Sequence, residues 1–204
     1  MALDFLVAIT NLAFMTRWQK LFALLAILMT LPLLSTGAAS AQDAAGEPRI
    51  ERLLGELAEP DRADWEQIEA EIIRLWTRSG SDAMDLLLRR GNEAMEAENY
   101  ELALEHFGAL TDHAPAFAEG WNARATAYFL LGEYALAMAD IERALALNPN
   151  HFGALSGLGY IFDRTGDPAM ALKALRAAEA LNPNREDLQR TIARLEQQMG
   201  VTDL

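Results

Sequence analysis

Prolines stand at positions 115, 149 and 183, one every 34 residues. That interval is the length of a small supersecondary unit, so the period confines the chain to an array of like units stacked on one another. Far more than proline recurs when the sequence is shifted by one period. Ala103, Ala137 and Ala171 share a column, and four positions later Phe107, Ile141 and Leu175 share another. Small residues recur at Gly91, Ala125 and Gly159, and a further column holds Leu110, Ala144 and Ala178. Leu87, Trp121 and Leu155 align, as do Tyr128 and Phe162, where the first unit has Ala94.

Within each unit the apolar positions fall three or four apart in two runs, such as Trp121, Ala125, Tyr128 and then Ala137, Ile141, Ala144. This is the helical period, so each unit is two short helices. Helices that approach closely need small side chains at the contact, which the glycine and alanine columns supply. Gly132 or Gly166 makes the turn between the helices, and Asp167-Pro168 reads as an N-cap with proline in the first helical position. Proline lacks a backbone N–H and biases the preceding residue away from helix, so Asn148-Pro149 and Asn182-Pro183 each end one hairpin before the next begins.

These columns resemble the tetratricopeptide repeat (TPR) family, and the unit from Ala118 to His151 carries the resemblance best through Trp121, Ala125, Tyr128, Ala137, Ile141, Ala144 and Pro149. The resemblance implies an all-α fold, a right-handed α-solenoid of three TPR helix hairpins over residues 84–117, 118–151 and 152–185. The flanks read as covers for the two open ends of the array. Upstream, Leu53, Leu54 and Leu57 suggest a short helix ending near Pro60. Asp61 and Asp64 then start a second, where Trp65, Ile68, Ile72, Leu75 and Trp76 keep helical spacing to about Thr77, before Ser79-Gly80-Ser81 stops it. Glu69 falls in the alanine column and Ser81 in the proline column, so residues 49–83 are expected to be a divergent N-terminal helical cap over the first repeat. Downstream, Leu188, Ile192, Leu195 and Met199 form the apolar stripe of a C-terminal capping helix within residues 186–204, with Gly200 as its stop. Three repeats with both covers are expected to make a small complete domain.

The chain opens with a targeting signal. Leu21 to Leu34 is a 14-residue apolar run preceded by Arg17 and Lys20 and followed by Ala39-Ser40-Ala41. Those are the three parts of a secretory signal peptide, so residues 1–41 are expected to be cleaved and residues 42–48 to be a flexible leader. Asp4 sits in an apolar stretch where basic residues are expected, which translation from Met15 would explain. An uncleaved inner-membrane anchor is the alternative, although the run is shorter than the ~20 residues a spanning helix needs. Export places the protein in the periplasm or outside the cell. The 204 residues contain no cysteine, so neither a disulfide nor a lipidated cysteine can form within them.

Removing residues 1–41 takes away Asp4, Arg17 and Lys20 and moves the formal charge from −13 to −14. Nucleic acid is a poor partner for so acidic a chain, because affinity there comes chiefly from Lys and Arg neutralising phosphates. Basic or apolar protein segments suit it better. There is no phosphate-binding glycine loop and no cysteine nucleophile, and His106, His113 and His151 lack metal-ligand spacing. They read as helix-surface or turn residues. No enzymatic activity, cofactor or metal is therefore expected.

In proteins of the resembled family the first helices of successive repeats line a concave groove that holds a peptide. Helical spacing places Asp85, Leu88, Asn92 and Met95 on that stripe in the first repeat, Glu119, Asn122, Thr126 and Phe129 in the second, and Gly153, Ser156, Tyr160 and Asp163 in the third. Asn92 and Asn122 can pair with a peptide backbone. Leu88, Met95, Phe129 and Tyr160 can accept apolar side chains, and Asp85, Glu119 and Asp163 favour a cation. One TPR subclass clamps acidic chaperone tails with basic residues and asparagines. Leu88, Ala123 and Gly157 stand at three of its clamp positions, and only Asn92 matches. The expected role is a non-enzymatic adaptor of the bacterial cell envelope. The alternative is a structural subunit docked through its N-terminal helices, in which case Trp65 and Trp76 are exposed.

Overall fold

The computed structural model describes residues 43–200. The apolar run, its cleavage site and Met15 lie outside the described residues. Among those described, the regular secondary structure is helical: α1 (Asp43–Leu57), α2 (Trp65–Trp76), α3 (Asp82–Glu96), α4 (Tyr100–His113), α5 (Ala118–Leu130), α6 (Tyr134–Leu147), α7 (Phe152–Thr165), α8 (Pro168–Leu181) and α9 (Glu186–Met199). Residues 43–48, expected as a flexible leader, form the first turns of α1. Ala44 and Ala45 are strong helix formers, and Pro48 removes only one intrahelical bond.

The helix pairs α3–α4, α5–α6 and α7–α8 each pack as a hairpin, and the second helix of each pair packs on the first helix of the next. The recurring columns are the contact surfaces. Ala103, Phe107 and Leu110 are buried between α3 and α4, as Ala137, Ile141 and Ala144 are in the second hairpin and Ala171, Leu175 and Ala178 in the third. A methyl group on Gly91 would lie 2.1 Å from the Phe107 ring, and one on Gly159 would lie 2.5 Å from Leu175. Such distances are far inside van der Waals contact, so these two columns set how closely each pair can approach.

The ends of the helices are also written into the sequence. Asn99 caps α4 by accepting from the Leu102 N–H at 3.2 Å, and Asp167 caps α8 by accepting from the Met170 N–H at 3.0 Å, with Pro168 in the first turn. Between the helices of a pair the chain takes a left-handed residue at the same repeat position: Gly132 (φ 79°), Gly166 (φ 84°) and, in the first repeat, Glu98 (φ 55°). Gly200 ends α9 in the same way.

The α1–α2 pair forms as expected, but it is not laid over the first repeat alone. Its buried residues Leu53, Leu57, Ile68 and Ile72 cluster with Phe152 at the start of α7, and Leu181 at the end of α8 packs against them. Polar contacts extend this attachment. The Asn184 side chain donates to the Leu57 and Glu59 carbonyls and accepts from the Arg62 N–H, while Asn182 donates to Glu69 at 2.6 Å. Trp76 stacks on His151 and lies 4.9 Å from Phe152. At the far end, Asp85 of α3 accepts from the Ser79 N–H and hydroxyl. The α2 helix and its following turn therefore reach residues at the N-terminal ends of α3, α7 and α9. A helix placed this way ties successive repeats to one element.

The stripe of α2, with Ile68 and Ile72 at its centre, needs an apolar partner, and the Phe152 ring at a repeat junction supplies one, the contact leaving that ring buried. Trp65 and Trp76 are half-buried and pack into this same cluster rather than standing free.

Candidate partner-binding groove

Helix α3 packs on α5, and α5 on α7, so the first helices of the three repeats form one layer. Three adjoining depressions run across it. The first, about 330 Å³, lies between α5 and α7, with Asn122, Thr126, Phe129, Gly157 and Tyr160 in its lining and Ile141 of α6 behind them. The second lies between α3 and α5 and is lined by Asn92, Met95, Glu96, Glu119, Asn122 and Thr126. The third lies on α3 and holds Thr77, Asp85, Leu88, Arg89, Asn92 and Glu93. Asn122 and Thr126 are shared by the first two, and Asn92 by the last two. The depressions therefore make one continuous groove.

The structure brings most of the expected residues together. Asn92, Met95, Asn122, Thr126, Phe129, Gly153, Ser156 and Tyr160 all line the groove. Asn92 is exposed, and its carboxamide makes no hydrogen bond among the described residues. Asn122 has only a long contact, 3.4 Å, to Glu119. Two carboxamides thus face the groove with spare donors and acceptors.

Other candidates are committed to the fold. Leu88 is only 3% exposed and packs in the core with Phe107, so it offers the groove little surface. Ser156 is buried and donates to the Phe152 carbonyl. Asp163 does not line the depressions described above; it pairs with Arg194 of α9 at 2.5 Å. Asp85 accepts from Ser79, and Glu119 from His151, so each is fixed in position by a neighbour.

His151 corrects a sequence expectation. It lies in the turn between α6 and α7, one of the two places expected for it, but its side chain is buried instead of on the surface and caps α7: Nδ1 accepts from the Ala154 N–H at 3.2 Å. With Nδ1 so occupied, Nε2 carries the proton and donates to Glu119 at 2.9 Å. The ring is then held from one side by Trp76. One imidazole thereby joins α2, α5 and α7. The only sign of this in the sequence is its position at the last residue of a repeat, the column it shares with Phe117 and Arg185.

Arg185, Gly157 and the carboxylates Glu93 and Glu96 also line the groove and were not anticipated. Arg185 sits at the third-repeat end, where its guanidinium donates to Asp187 at 2.5 Å and holds that carboxyl below the usual range. Nearby Glu69 is shifted the other way, because burial raises it more than Asn182 and Arg185 lower it. Burial also raises the Tyr160 phenol. Behind the groove, Arg124 makes a paired contact with Asp140 at 2.7 Å, donates to Thr111, and lies 4.9 Å from the Trp121 ring. This contact ties α4, α5 and α6 and has no counterpart in the repeat columns.

Stacked helix hairpins whose first helices floor a continuous groove define an all-α solenoid. Residues 118–186 belong to the tetratricopeptide repeat family: models of that repeat match residues 118–151 and 136–186. A TPR repeat-containing protein of Rhizobium etli is 37% identical over 129 residues, 62% of this chain and 62% of its own length. Small glutamine-rich tetratricopeptide repeat-containing protein 2 of Saccharomyces cerevisiae is 33% identical over 113 residues, covering 55% of this chain and 32% of the yeast protein. The chain thus spans less than two thirds of either relative. Among solved structures, the first TPR of Spaghetti (RPAP3), bound to the HSP90 peptide SRMEEVD, superposes with a TM-score of 0.57 at 25% identity. That match covers 59% of this chain and 95% of the other.

Proposed function

We propose that this protein is a non-enzymatic adaptor of the bacterial cell envelope that holds an extended segment of a partner protein in the groove across α3, α5 and α7. The observation that carries this reading is the continuity of the three depressions through the shared residues Asn92 and Asn122. An extended peptide leaves backbone donors and acceptors unpaired, and a carboxamide matches both. The peptide bound to the TPR domain of RPAP3 supports a groove of this kind as a place for a peptide. The envelope assignment is supported by the apolar run Leu21 to Leu34, its flanking Arg17 and Lys20, and Ala39-Ser40-Ala41. Among the described residues no helix is long and apolar enough to cross a membrane.

A structural subunit docked through its N-terminal helices is the competing role. Its mark would have been free tryptophans, whereas Trp65 and Trp76 pack internally. The adaptor reading is tested by affinity capture from the envelope fraction, comparing the protein with the double variant Asn92→Ala, Asn122→Ala. Both side chains lie on the groove surface, so helix content should stay unchanged while partner capture weakens. Equal capture by the two proteins would refute the groove assignment.

A further inference from the structure

The two ends of the groove differ in chemistry. Between α5 and α7 the apolar surface on offer is that of Phe129, Leu130 and the Tyr160 ring, with Ala125, Ile141 and Ile161 buried behind them. Gly157 opens this pocket: a methyl group placed there would meet only Ile141, at 3.4 Å, and a longer side chain would project into the space. Arg185 at the edge is already paired with Asp187, so it adds little net attraction for an anion. Toward α3 the lining carries four carboxylates, Asp85, Glu93, Glu96 and Glu119, against one guanidinium, Arg89. Ser79 and the His151 imidazole N–H hold Asp85 and Glu119 in place through neutral donors, so those hydrogen bonds leave the negative charge standing. Glu93 and Arg89 are 3.8 Å apart and both well exposed, which makes that pair weak.

Resting on the groove reading above, we propose that the occupant is a peptide segment with a large apolar side chain seated between α5 and α7 and lysine or arginine about three residues away, over the depression between α3 and α5. The spacing follows from geometry. Packed helices lie ~8–10 Å apart, and an extended chain advances ~3.3 Å per residue, so one helix step along the groove is about three residues. The preference is opposite in charge to the acidic SRMEEVD peptide on the RPAP3 domain. At two positions where the acidic-tail clamp described above places basic residues, Leu88 is drawn into the core and Gly157 leaves an apolar opening.

A displayed library of random octapeptides selected on the purified full-length protein tests the assignment. Three proteins are compared in fluorescence-polarisation titrations of the selected peptides: the wild type, Gly157→Leu, which fills the pocket, and the double variant Glu93→Lys, Glu96→Lys, which reverses exposed charges. Circular dichroism checks that each variant keeps its helices. The expected peptides carry a large apolar residue with Lys or Arg about three positions away, and each variant weakens their binding about tenfold or more. Peptides expelled by Gly157→Leu but carrying Asp or Glu at that spacing, or indifferent to the charge reversal, would overturn the charge preference and leave the groove reading standing. Selected peptides that bind Gly157→Leu as well as wild type, or a selection that yields no binding peptide, would overturn both.

Discussion

Trp76 stacks on His151, with ring centroids 4.8 Å apart and planes inclined by 26°. This contact joins the helix that precedes the repeats to the last residue of the second repeat, which caps the third hairpin. The same imidazole reaches Glu119 of the second repeat, so the tryptophan supports a junction between repeats. Repeat arrays are held chiefly by neighbour contacts, and an element that spans several junctions adds stability to all of them. Trp76→Ala should therefore cost about 3 kcal/mol. Urea unfolding followed by circular dichroism measures it. A loss within ~0.5 kcal/mol, the usual range for surface substitutions, would show that α2 contributes little to holding the array.

Gly91 and Phe107 give a second expectation. Alanine is intrinsically better than glycine in a helix by about 1 kcal/mol. At Gly91 the added methyl would enter the Phe107 ring, so Gly91→Ala should instead destabilise by about 1–3 kcal/mol. Adding Phe107→Ile recreates the second repeat's pairing of Ala125 with Ile141 and should recover part of the loss. Gly157→Ala, which meets only Ile141 at 3.4 Å, is the control and should be neutral or stabilising. Thermal melts of the three variants and the wild type decide the order.

Glu98 occupies the left-handed position that its repeat partners give to Gly132 and Gly166. A residue with a Cβ pays roughly 1 kcal/mol for that conformation. Glu98 is exposed and has no ion pair among the described residues, so Glu98→Gly should raise stability by up to about 1 kcal/mol and lift the melting temperature. A fall in melting temperature would mean that the side chain has a stabilising role of its own.

The carboxyl of Glu69 is raised above the ordinary glutamate range, with burial the largest cause. A carboxyl raised on folding favours the protonated form in the native state. Its contribution is fully present below the unfolded value and is lost as pH rises through the folded one. Glu69→Gln keeps an oxygen that can accept from Asn182 and removes the charge. Relative to wild type, the variant should gain stability as pH climbs through and above the ordinary glutamate range, and the gain should level off at neutral pH. Asp187, lowered chiefly by its hydrogen bond with Arg185, has the opposite dependence and is present in both proteins. Urea midpoints of the pair across acidic to neutral pH isolate Glu69. A constant difference at all pH values would contradict this assignment.

The columns that made the repeats legible are those where one side chain meets another at the same offset in each hairpin. Gly91 with Phe107 and Gly159 with Leu175 are of this kind, and a period exposes them without any structure. The path of α2 was not legible for the opposite reason. Its partners Phe152, Leu181, Asn182 and Asn184 lie far along the chain, and each sits where a repeat could hold it without a further role. The groove was legible as a stripe, since helical spacing alone sets which side of α3, α5 and α7 lies in the layer. Which residues remain free was not, because burial of Leu88 and the pairing of Asp163 with Arg194 depend on neighbouring elements. The Arg124–Asp140 pair is not legible in the sequence because two charged residues sixteen positions apart carry no periodic signal.

The central claim is that partner binding occurs on the face formed by α3, α5 and α7. Site-specific photocross-linking in cells tests it most directly, with the reactive residue placed at Thr126, exposed in the groove, or at Glu142, exposed on α6. The account predicts a protein adduct from position 126 that disappears when Gly157→Leu is added, and none from position 142. Adducts from position 142 alone would contradict it.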